Sequence, residues 1–468
     1  MKSTNQLHLT LWGLGIFASI ASSQNPGTFI AIGNMTEARA DHTATLLYNG
    51  KVLIAGGDLY VPPLVLASAE LYDPSTGAFT PTGNMTTARA GHSATLLPNG
   101  RVLICGGTAD LSAEIYDPAT GTFTAAGAMV VLPYSWQAAT LLQDGRVFIA
   151  SQPTAQLYDP VPGTFAVSGS YAAPAPTYIE PNGVTLLADG RVLLTGGNVV
   201  GEIAGWTELY DPGTDNFSVT GTSGDSANWW YNVNTATLLM NGKVLIAGSD
   251  EYDEPADAEL YDPATGAVTA IGNTAAGHEY AAATLLPDGS VLITGGQLAG
   301  GNGKVVSELY TPATGSFSAA GNMVTGRHEH TATLLPDGTV LIAGGYSIWP
   351  SSTSSAEIYS PPVLQAAPVL FSLWHAATGQ AASPGMPAVA GEALAMYTTS
   401  LVDGSVIPPQ VSIGGRFAEI LFFGDAPGYP GFNQVNIRVP DGVAPGSAVP
   451  VRLTYLGRSS NEVTIAVQ

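Results

Sequence analysis

The chain has 468 residues, with 14 basic and 36 acidic side chains and a formal net charge of −22. A balance this acidic argues against nucleic acid or an anionic membrane surface as a partner. Because 45% of the residues are apolar and fall in regular phrases, the chain is not disordered, and 56 glycines and 33 prolines suit short strands joined by tight turns.

The first residues have the pattern of a targeting segment. Lys2 gives a positive start, Leu9 to Ile20 form an apolar stretch, and Ala21-Ser22-Ser23 supply small residues for cleavage before Gln24. The sequence therefore predicts a signal peptide over residues 1–23. The mature protein is then secreted or located in the periplasm or cell envelope, and has no membrane span once the signal is removed. A retained N-terminal anchor is the alternative.

One phrase recurs seven times, as in the copy "SATLLPNGRVLICGG", which begins at Ser93 and contains Thr95. Its marker threonine stands 45 to 52 residues from the next, at Thr45, Thr95, Thr140, Thr185, Thr237, Thr284 and Thr333. A second phrase, E-L-Y-D-P-x-T-G-x-F, follows in most copies. Strand-length pieces repeating at this period predict a seven-bladed β-propeller with four strands in each blade.

The turns and the ends of the repeat support this interpretation. Asn-Gly or Asp-Gly separates the first two strands in all seven units, which predicts two-residue type I′ hairpins. The seventh unit lacks its fourth strand after Tyr359, and an orphan copy of that strand stands at Gly27-Thr28-Phe29. We therefore expect a propeller over residues 24–362 whose last blade is closed by the N-terminal strand.

The double glycine after the second strand, the tyrosine of the third strand and the repeat spacing resemble the kelch family over roughly residues 26–362. The pairs stand at Gly56-Gly57, Gly106-Gly107, Gly196-Gly197, Gly295-Gly296 and Gly344-Gly345, and units three and five depart from them with Ala150-Ser151 and Gly248-Ser249. This resemblance implies a kelch-like propeller of the secreted bacterial type. It does not imply one activity, because kelch propellers include actin binders, ligase adaptors and copper oxidases.

The period ends beyond residue 362. Residues 363–368 are expected to form a linker, and residues 369–468 alternate in polarity with frequent turn signals, which predicts a β-sandwich. The segments Ile413-Gly414-Gly415, Ala426-Pro427-Gly428 and Gln434-Val435-Asn436 resemble an immunoglobulin-like module of exported acidobacterial proteins. That resemblance implies a spacer or attachment module.

The loops between strands two and three, and between one blade and the next, lie on one face and vary in length and chemistry. This variable-loop face is the expected place for recognition, and the opposite turn face is not. Six residues ahead of the marker, Arg39, Arg89 and Arg327 stand with His42, His92 and His330 three residues later. Either these pairs hydrogen-bond adjacent blades, or they form a cationic patch at the channel mouth that grips a carboxylate.

Units three to six replace that pair, mostly with aromatic residues. The candidate ligand-binding residues there are Tyr134, Trp136, Tyr178, Trp229, Trp230, Tyr231, His278 and Tyr280. Flat aromatic faces beside Asn, Asp and Ser suit a sugar ring or a peptide anchor. Alternatively, they cap the core between blades. The acidic loop at residues 250–254 has no calcium-loop spacing and is interpreted as solvated charge.

An enzymatic alternative comes from the resemblance. Some secreted kelch propellers with an immunoglobulin-like tail are copper radical oxidases, similar in layout to galactose oxidase. That chemistry needs a tyrosyl–cysteine cofactor, a tyrosine next to a histidine ligand, and a histidine from the C-terminal domain. The sequence has no Tyr-His dipeptide, and the repeat predicts that its one cysteine, Cys105, is buried. His375 is the one histidine of the tail.

The predicted function is therefore that of an exported recognition protein, more a binder than an enzyme, without a cofactor, a metal or catalytic residues. Its partner is a glycan or an extracellular protein bound on the variable-loop face. The alternatives are an oxidase or another enzyme at the same face, and a structural envelope protein. The ligand and the oligomeric state stay open.

Overall fold

The computed structural model describes residues 26–60, 63–132, 137–151, 154–172, 183–195, 206–222, 235–248, 257–402 and 404–468. Their regular structure is entirely β-strand: seven four-stranded antiparallel sheets, a β-sandwich and two small hairpins. None of these residues forms a helix with the length and apolarity needed to span a membrane. The predicted signal peptide lies outside the described residues.

Seven sheets form the blades, which we number from the unit marked by Thr45. The first strands are Thr43–Leu46, Ser93–Leu96, Ala139–Leu141, Gly183–Leu186, Thr235–Leu238, Ala282–Leu285 and Thr331–Leu334. The second strands are Val52–Ala55, Val102–Cys105, Val147–Ile149, Val192–Thr195, Val244–Ala247, Val291–Thr294 and Val340–Ala343. The third strands are Ala69–Asp73, Ser112–Asp117, Thr154–Asp159, Trp206–Asp211, Asp257–Asp262, Val306–Thr311 and Ala356–Ser360. The fourth strands are Ala78–Pro81, Thr122–Ala128, Thr164–Ser170, Asn216–Thr222, Ala267–Asn273, Ser316–Asn322 and, for blade 7, Thr28–Ala31.

The burial of each strand fixes its place in the ring. The first strands of successive blades contact one another around the whole circle, so they line the centre. Every residue of the second strands is buried, as in Val52–Ala55, because both faces of each sheet pack against a neighbouring blade. Fourth strands such as Ala78–Pro81 are largely exposed and form the outer edge. The propeller predicted from the repeat is confirmed.

The hairpins between the first two strands differ from the prediction. In blade 1 the Leu47 amide donates to the Lys51 carbonyl, and the Gly50 amide donates back to the Leu47 carbonyl. The loop therefore has three residues, and only Gly50 has a positive φ, of 81°. The Asn49 side chain accepts a hydrogen bond from the Lys51 amide at 3.1 Å, which holds Asn49 in an ordinary turn conformation. The Asx-Gly pair thus marks a three-residue hairpin with a left-handed glycine, not a type I′ turn.

The N-terminal strand closes the ring, as predicted. Thr28–Ala31 pairs antiparallel with the third strand of blade 7, and Thr28 lies opposite Ser360. Phe29 packs on Tyr359 with ring centroids 4.9 Å apart. The Tyr359 hydroxyl donates to the Pro26 carbonyl at 3.1 Å. The N-terminal strand is therefore held in blade 7 by hydrogen bonds and by an aromatic contact.

The tail forms a two-sheet β-sandwich. One sheet contains Leu370–His375, Ala393–Thr398, Asn433–Arg438 and Glu419–Asp425; the other contains Arg416–Phe417, Gln410–Ile413, Gly446–Tyr455, Arg458–Ser459 and Val463–Val467. Apolar side chains from both sheets form one core between them.

The sandwich lies against the turn face of the propeller. The Val406 amide donates to the Met240 carbonyl at 2.8 Å, beside the blade 5 hairpin. Arg452 lies over the Tyr48 ring at 5.3 Å, beside the blade 1 hairpin. The sandwich therefore lies at the end of the ring opposite the variable-loop face.

Removal of residues 24–35 should lower the melting temperature of the mature protein by about 10 °C, because blade 7 loses a strand and the Phe29–Tyr359 contact. A single change isolates the contact: Phe29→Ala should destabilise by about 2–4 kcal/mol, and Ile30→Ala, on the 57% exposed neighbour, by much less. Thermal unfolding followed by circular dichroism measures both. An unchanged melting temperature in the deletion would contradict ring closure by this strand.

Candidate functional site

The double glycines lie where the loop that leads into the next blade crosses the preceding one. A Cβ atom on Gly56 would lie 2.5 Å from the carbonyl oxygen of Arg89, and a Cβ on Gly344 would lie 2.5 Å from that of Arg39. Both glycines have a positive φ, of 61° and 65°. Backbones this close leave no room for a side chain, so the repeat requires glycine there.

Three arginines fix these crossing loops from inside the protein. Arg39 is 0% exposed and donates to the Gly56 carbonyl at 2.6 Å and to Glu70 at 3.1 Å. The same arrangement joins Arg89 to the Gly106 carbonyl and Glu114, and Arg327 to the Gly344 carbonyl and Glu357. The guanidinium groups are thus enclosed by their own blades. Within the described part of the chain, the arginine side chains therefore hydrogen-bond within one blade and not between adjacent blades, and they leave no exposed face for a ligand carboxylate.

The histidines that follow the arginines reach back to the preceding blade. His42 bonds Thr331 at 3.1 Å, and His92 bonds Thr43 at 3.0 Å; His330 makes the equivalent bond to Thr294. Burial lowers the pKa of His92 to about 3 and also holds that of the other two well below the usual range. These rings are therefore neutral bridges between blades.

In blade 6 the arginine position is occupied by His278. This ring is 0% exposed, with Nδ1 2.7 Å from the Gly295 carbonyl and Nε2 2.8 Å from Glu308. It thus fills the structural position of the arginines. In blade 3, where the arginine position is Tyr134, the glutamate is replaced by Gln156. The glutamate of the E-L-Y-D phrase is therefore the buried partner of the residue at the arginine position, and the sequence analysis missed it.

The remaining aromatic candidates are Tyr134, Trp136, Tyr178, Trp229, Trp230 and Tyr231, which lie outside the described residues, as does the acidic loop at 250–254. Tyr280 is described, half-buried and at a φ of 56°. Tyr280 lies four positions ahead of the marker threonine of its blade, and the other blades each have a residue at the same position.

In blades 6, 7, 1 and 2 the residues at this position form an arc of hydrogen-bonded backbone at the channel mouth. Asp41, Gly91, Tyr280 and Glu329 all have φ between 50° and 65°. The Glu329 amide donates to the Tyr280 carbonyl at 2.9 Å, the Asp41 amide to the Glu329 carbonyl at 3.4 Å, and the Gly91 amide to the Asp41 carbonyl at 2.9 Å. Such conformations are strained for residues other than glycine, and strain of this kind clusters at functional sites.

Four carboxyl groups meet at this mouth: Asp41, Asp58, Glu279 and Glu329, which with His328 we call the mouth cluster. Burial first, and then Asp41, raise the pKa of Glu329 to about 9. Burial also raises the pKa of Asp58, whose Oδ1 accepts a 2.7 Å hydrogen bond from the Tyr346 hydroxyl. Burial and the acidic neighbours therefore favour the protonated form of Glu329.

His328 is the buried member of the mouth cluster. Its side chain is 0% exposed, and Nε2 lies 3.0 Å from the Gly301 carbonyl. A carbonyl only accepts, so Nε2 carries the proton and donates it. Nδ1 then presents a lone pair; it has no hydrogen-bond partner among the described residues and lies 3.9 Å from Glu329 Oε1.

Aromatic rings lead from this mouth outwards across blades 7 and 1. Trp349 packs on Tyr60 with centroids 4.5 Å apart and on Tyr346 at 5.2 Å. Tyr346 packs on His328 at 5.3 Å, and His328 lies 6.2 Å from Tyr280. We call these five rings the aromatic ladder. Its outer end is accessible, since Tyr60 is 50% and Trp349 41% exposed.

Two short hairpins hold the outer rings. Blade 1 inserts the strands Asp58–Leu59 and Leu64–Val65 between its second and third strands, and blade 7 inserts Tyr346–Ile348 and Ser351–Ser352. Sequence analysis missed Tyr60 and Trp349. Loop length could have indicated them, because these two loops are longer than the corresponding loop in blade 2.

Comparison with models of protein families and with curated proteins finds no match. Among solved structures, the chain is similar to a fungal alcohol oxidase of the AA5 family, described as showing catalytic diversity and determined in complex with copper. The TM-score is 0.64 and the identity 16%, over 94% of this chain and 100% of the oxidase chain. The kelch-like propeller layout is thus shared with an oxidase, and at this identity the likeness concerns the fold.

The described residues do not fit a copper radical centre. Cys105 is 1% exposed in the core of blades 2 and 3, and burial raises its pKa to about 11. His375, in the sandwich, contacts Glu392 and the Met386 carbonyl. Within the ranges that the structure describes, no three His, Cys, Asp or Glu side chains are grouped to hold a metal.

Gly344→Ala should cost about 3 kcal/mol of folding stability, because its methyl group would meet the Arg39 carbonyl where blades 7 and 1 join. Gly315→Ala is the matched control: its φ of 64° equals that of Gly344 within a degree, but a Cβ there has open space around it. It should cost about 1 kcal/mol. Equal losses in urea unfolding would show that backbone strain, not the blade contact, accounts for the glycine.

Proposed function

We propose that this protein is an exported carbohydrate-recognition protein whose site lies on the variable-loop face of blades 6, 7 and 1. The observation that carries the proposal is the aromatic ladder, which exposes Trp349 and Tyr60 at its outer end and reaches a carboxyl-rich mouth at its inner end. A sugar ring presents an apolar face to stack on aromatic rings and hydroxyl groups to hydrogen-bond to acceptors.

The fold supports the same choice of face. The sandwich covers part of the turn face. At the channel mouth, the backbone is held by hydrogen bonds between neighbouring blades. Sites held by rigid elements bind at a low entropic cost. The proposal also includes that the mature chain is exported and that its partner is a glycan rather than a protein.

An oxidase is the second candidate, favoured by the likeness to the copper-containing alcohol oxidase over nearly the whole chain. The described residues do not supply its metal ligands, as set out above. An oxidase would need tyrosine ligands from elsewhere in the chain. The tyrosines left for that role lie outside the described residues: Tyr134, Tyr178 and Tyr231. Hydrogen peroxide release from alcohols by the copper-treated protein would favour it over recognition.

Trp349→Ala should abolish glycan binding with little change in melting temperature, because its ring is half-exposed and forms the platform. A glycan array probed with residues 24–468 gives the parent binding. Ile348→Ala, on the 69% exposed neighbour, is the matched control and should bind as the parent does.

The Trp229→Ala/Trp230→Ala double variant separates two positions for the site. Loss of binding only in Trp349→Ala places it on blades 7 and 1. Loss only in the double variant would instead assign it to the connection between blades 4 and 5. If the parent protein binds no glycan on the array, carbohydrate recognition is contradicted and a protein becomes the partner to test.

A further inference from the structure

We propose that the mouth cluster binds a protonated primary amine of the ligand, so that the preferred glycan carries amino sugars. This inference rests on the proposed function and narrows its ligand class. The carboxyl groups of Asp41, Asp58 and Glu279 lie close enough to act on Glu329, and carboxylates are acceptors when ionised. His328 adds an acceptor of its own.

The buried ring of His328 is the observation that points to a ligand. Because Nε2 donates to the Gly301 carbonyl, the neighbouring Nδ1 can only accept. It is fully buried, has no partner among the described residues, and faces Glu329. An acceptor left unsatisfied beside carboxyl groups requires a donor, and an ammonium group offers three.

The proton on Glu329 marks the place that the cation would take. The charged groups that act on Glu329 are Asp41, Asp58 and Glu279, all acidic, and the facing rings are those of His328 and Tyr346. Burial, this negative neighbourhood and a hydrogen bond with Asp41 raise the pKa of Glu329, which favours a proton at this place in the free protein. An arriving ammonium group would compensate the same negative charge and release that proton.

An organic cation fits this site better than a metal ion. The described residues contain no group of carboxylates and imidazoles spaced to hold a metal. Tyr346 donates to Asp58 and packs on His328, and His328 lies 6.2 Å from the Tyr280 ring. Aromatic faces next to a carboxylate favour an ammonium group through cation–π attraction.

Three hexasaccharides with the same β-1,4 backbone test the inference, since they differ only at carbon 2: glucose carries a hydroxyl, N-acetylglucosamine an amide, and glucosamine an amine. We expect the glucosamine oligomer to bind residues 24–468 about tenfold more tightly than the other two at pH 6. Calorimetry in two buffers of different ionisation enthalpy should show about one proton released per amino oligomer bound, and none for the neutral ones.

Glu329→Gln should remove the proton release and bring the three affinities together. Asp41→Asn provides a second variant in case Glu329→Gln fails to fold. It should also reduce the difference in affinity between the glucosamine oligomer and the two neutral oligomers. Equal binding of the three oligomers by the parent would overturn the amine site and leave carbohydrate recognition standing. Binding of none of them, together with silence on the glycan array, would overturn both.

Discussion

The buried contact between one blade's glycine and the next blade's arginine is the constraint on which the ring depends. Arg39 donates to the carbonyl of Gly56 in its own blade, while its own carbonyl oxygen accepts from the Gly345 amide of blade 7 at 2.9 Å. Its charge is compensated by Glu70 inside the protein. Removing one partner of a buried ion pair costs roughly 3–5 kcal/mol, because the other charge is left without compensation. Glycine, arginine and glutamate are therefore three parts of one requirement.

The same contact positions the site. The residue two places after the arginine position, which is His278 in blade 6, begins the turn into the inner strand. In blades 1, 6 and 7 that residue is Asp41, Tyr280 or Glu329. In blades 1 and 7 the arginine and the following histidine are fixed on either side, so Asp41 and Glu329 are held between them at a positive φ. The repeat thus places a different side chain at the same position in blades 1, 6 and 7. That arrangement can concentrate charge at the mouth without changing the scaffold.

The repeat made most of the fold predictable, because the marker threonines, the double glycines and the missing last strand each have one geometric solution. The hairpin type was wrong, since an Asn side chain that hydrogen-bonds its own turn, as Asn49 does, changes the loop length without changing the sequence pattern. The candidate site was predictable only as a face. Arg39, Arg89 and Arg327 are sequence neighbours of the mouth but lie inside the protein, and the sequence does not distinguish the two positions. Tyr60 and Trp349 come from loops 289 residues apart and meet only when the ring closes.

The fold is shared with a copper-containing oxidase, whereas the acidic, aromatic mouth is the feature that favours the proposed recognition role. A crystal structure of residues 24–468 with the best-binding oligosaccharide tests the account most directly. The account predicts a sugar ring stacked on Trp349 or Tyr60, with a polar substituent directed to Glu329. Sugar bound instead in the cleft of about 1060 Å³ between the sandwich and the turn face, which Phe417 and Leu421 line, would contradict it.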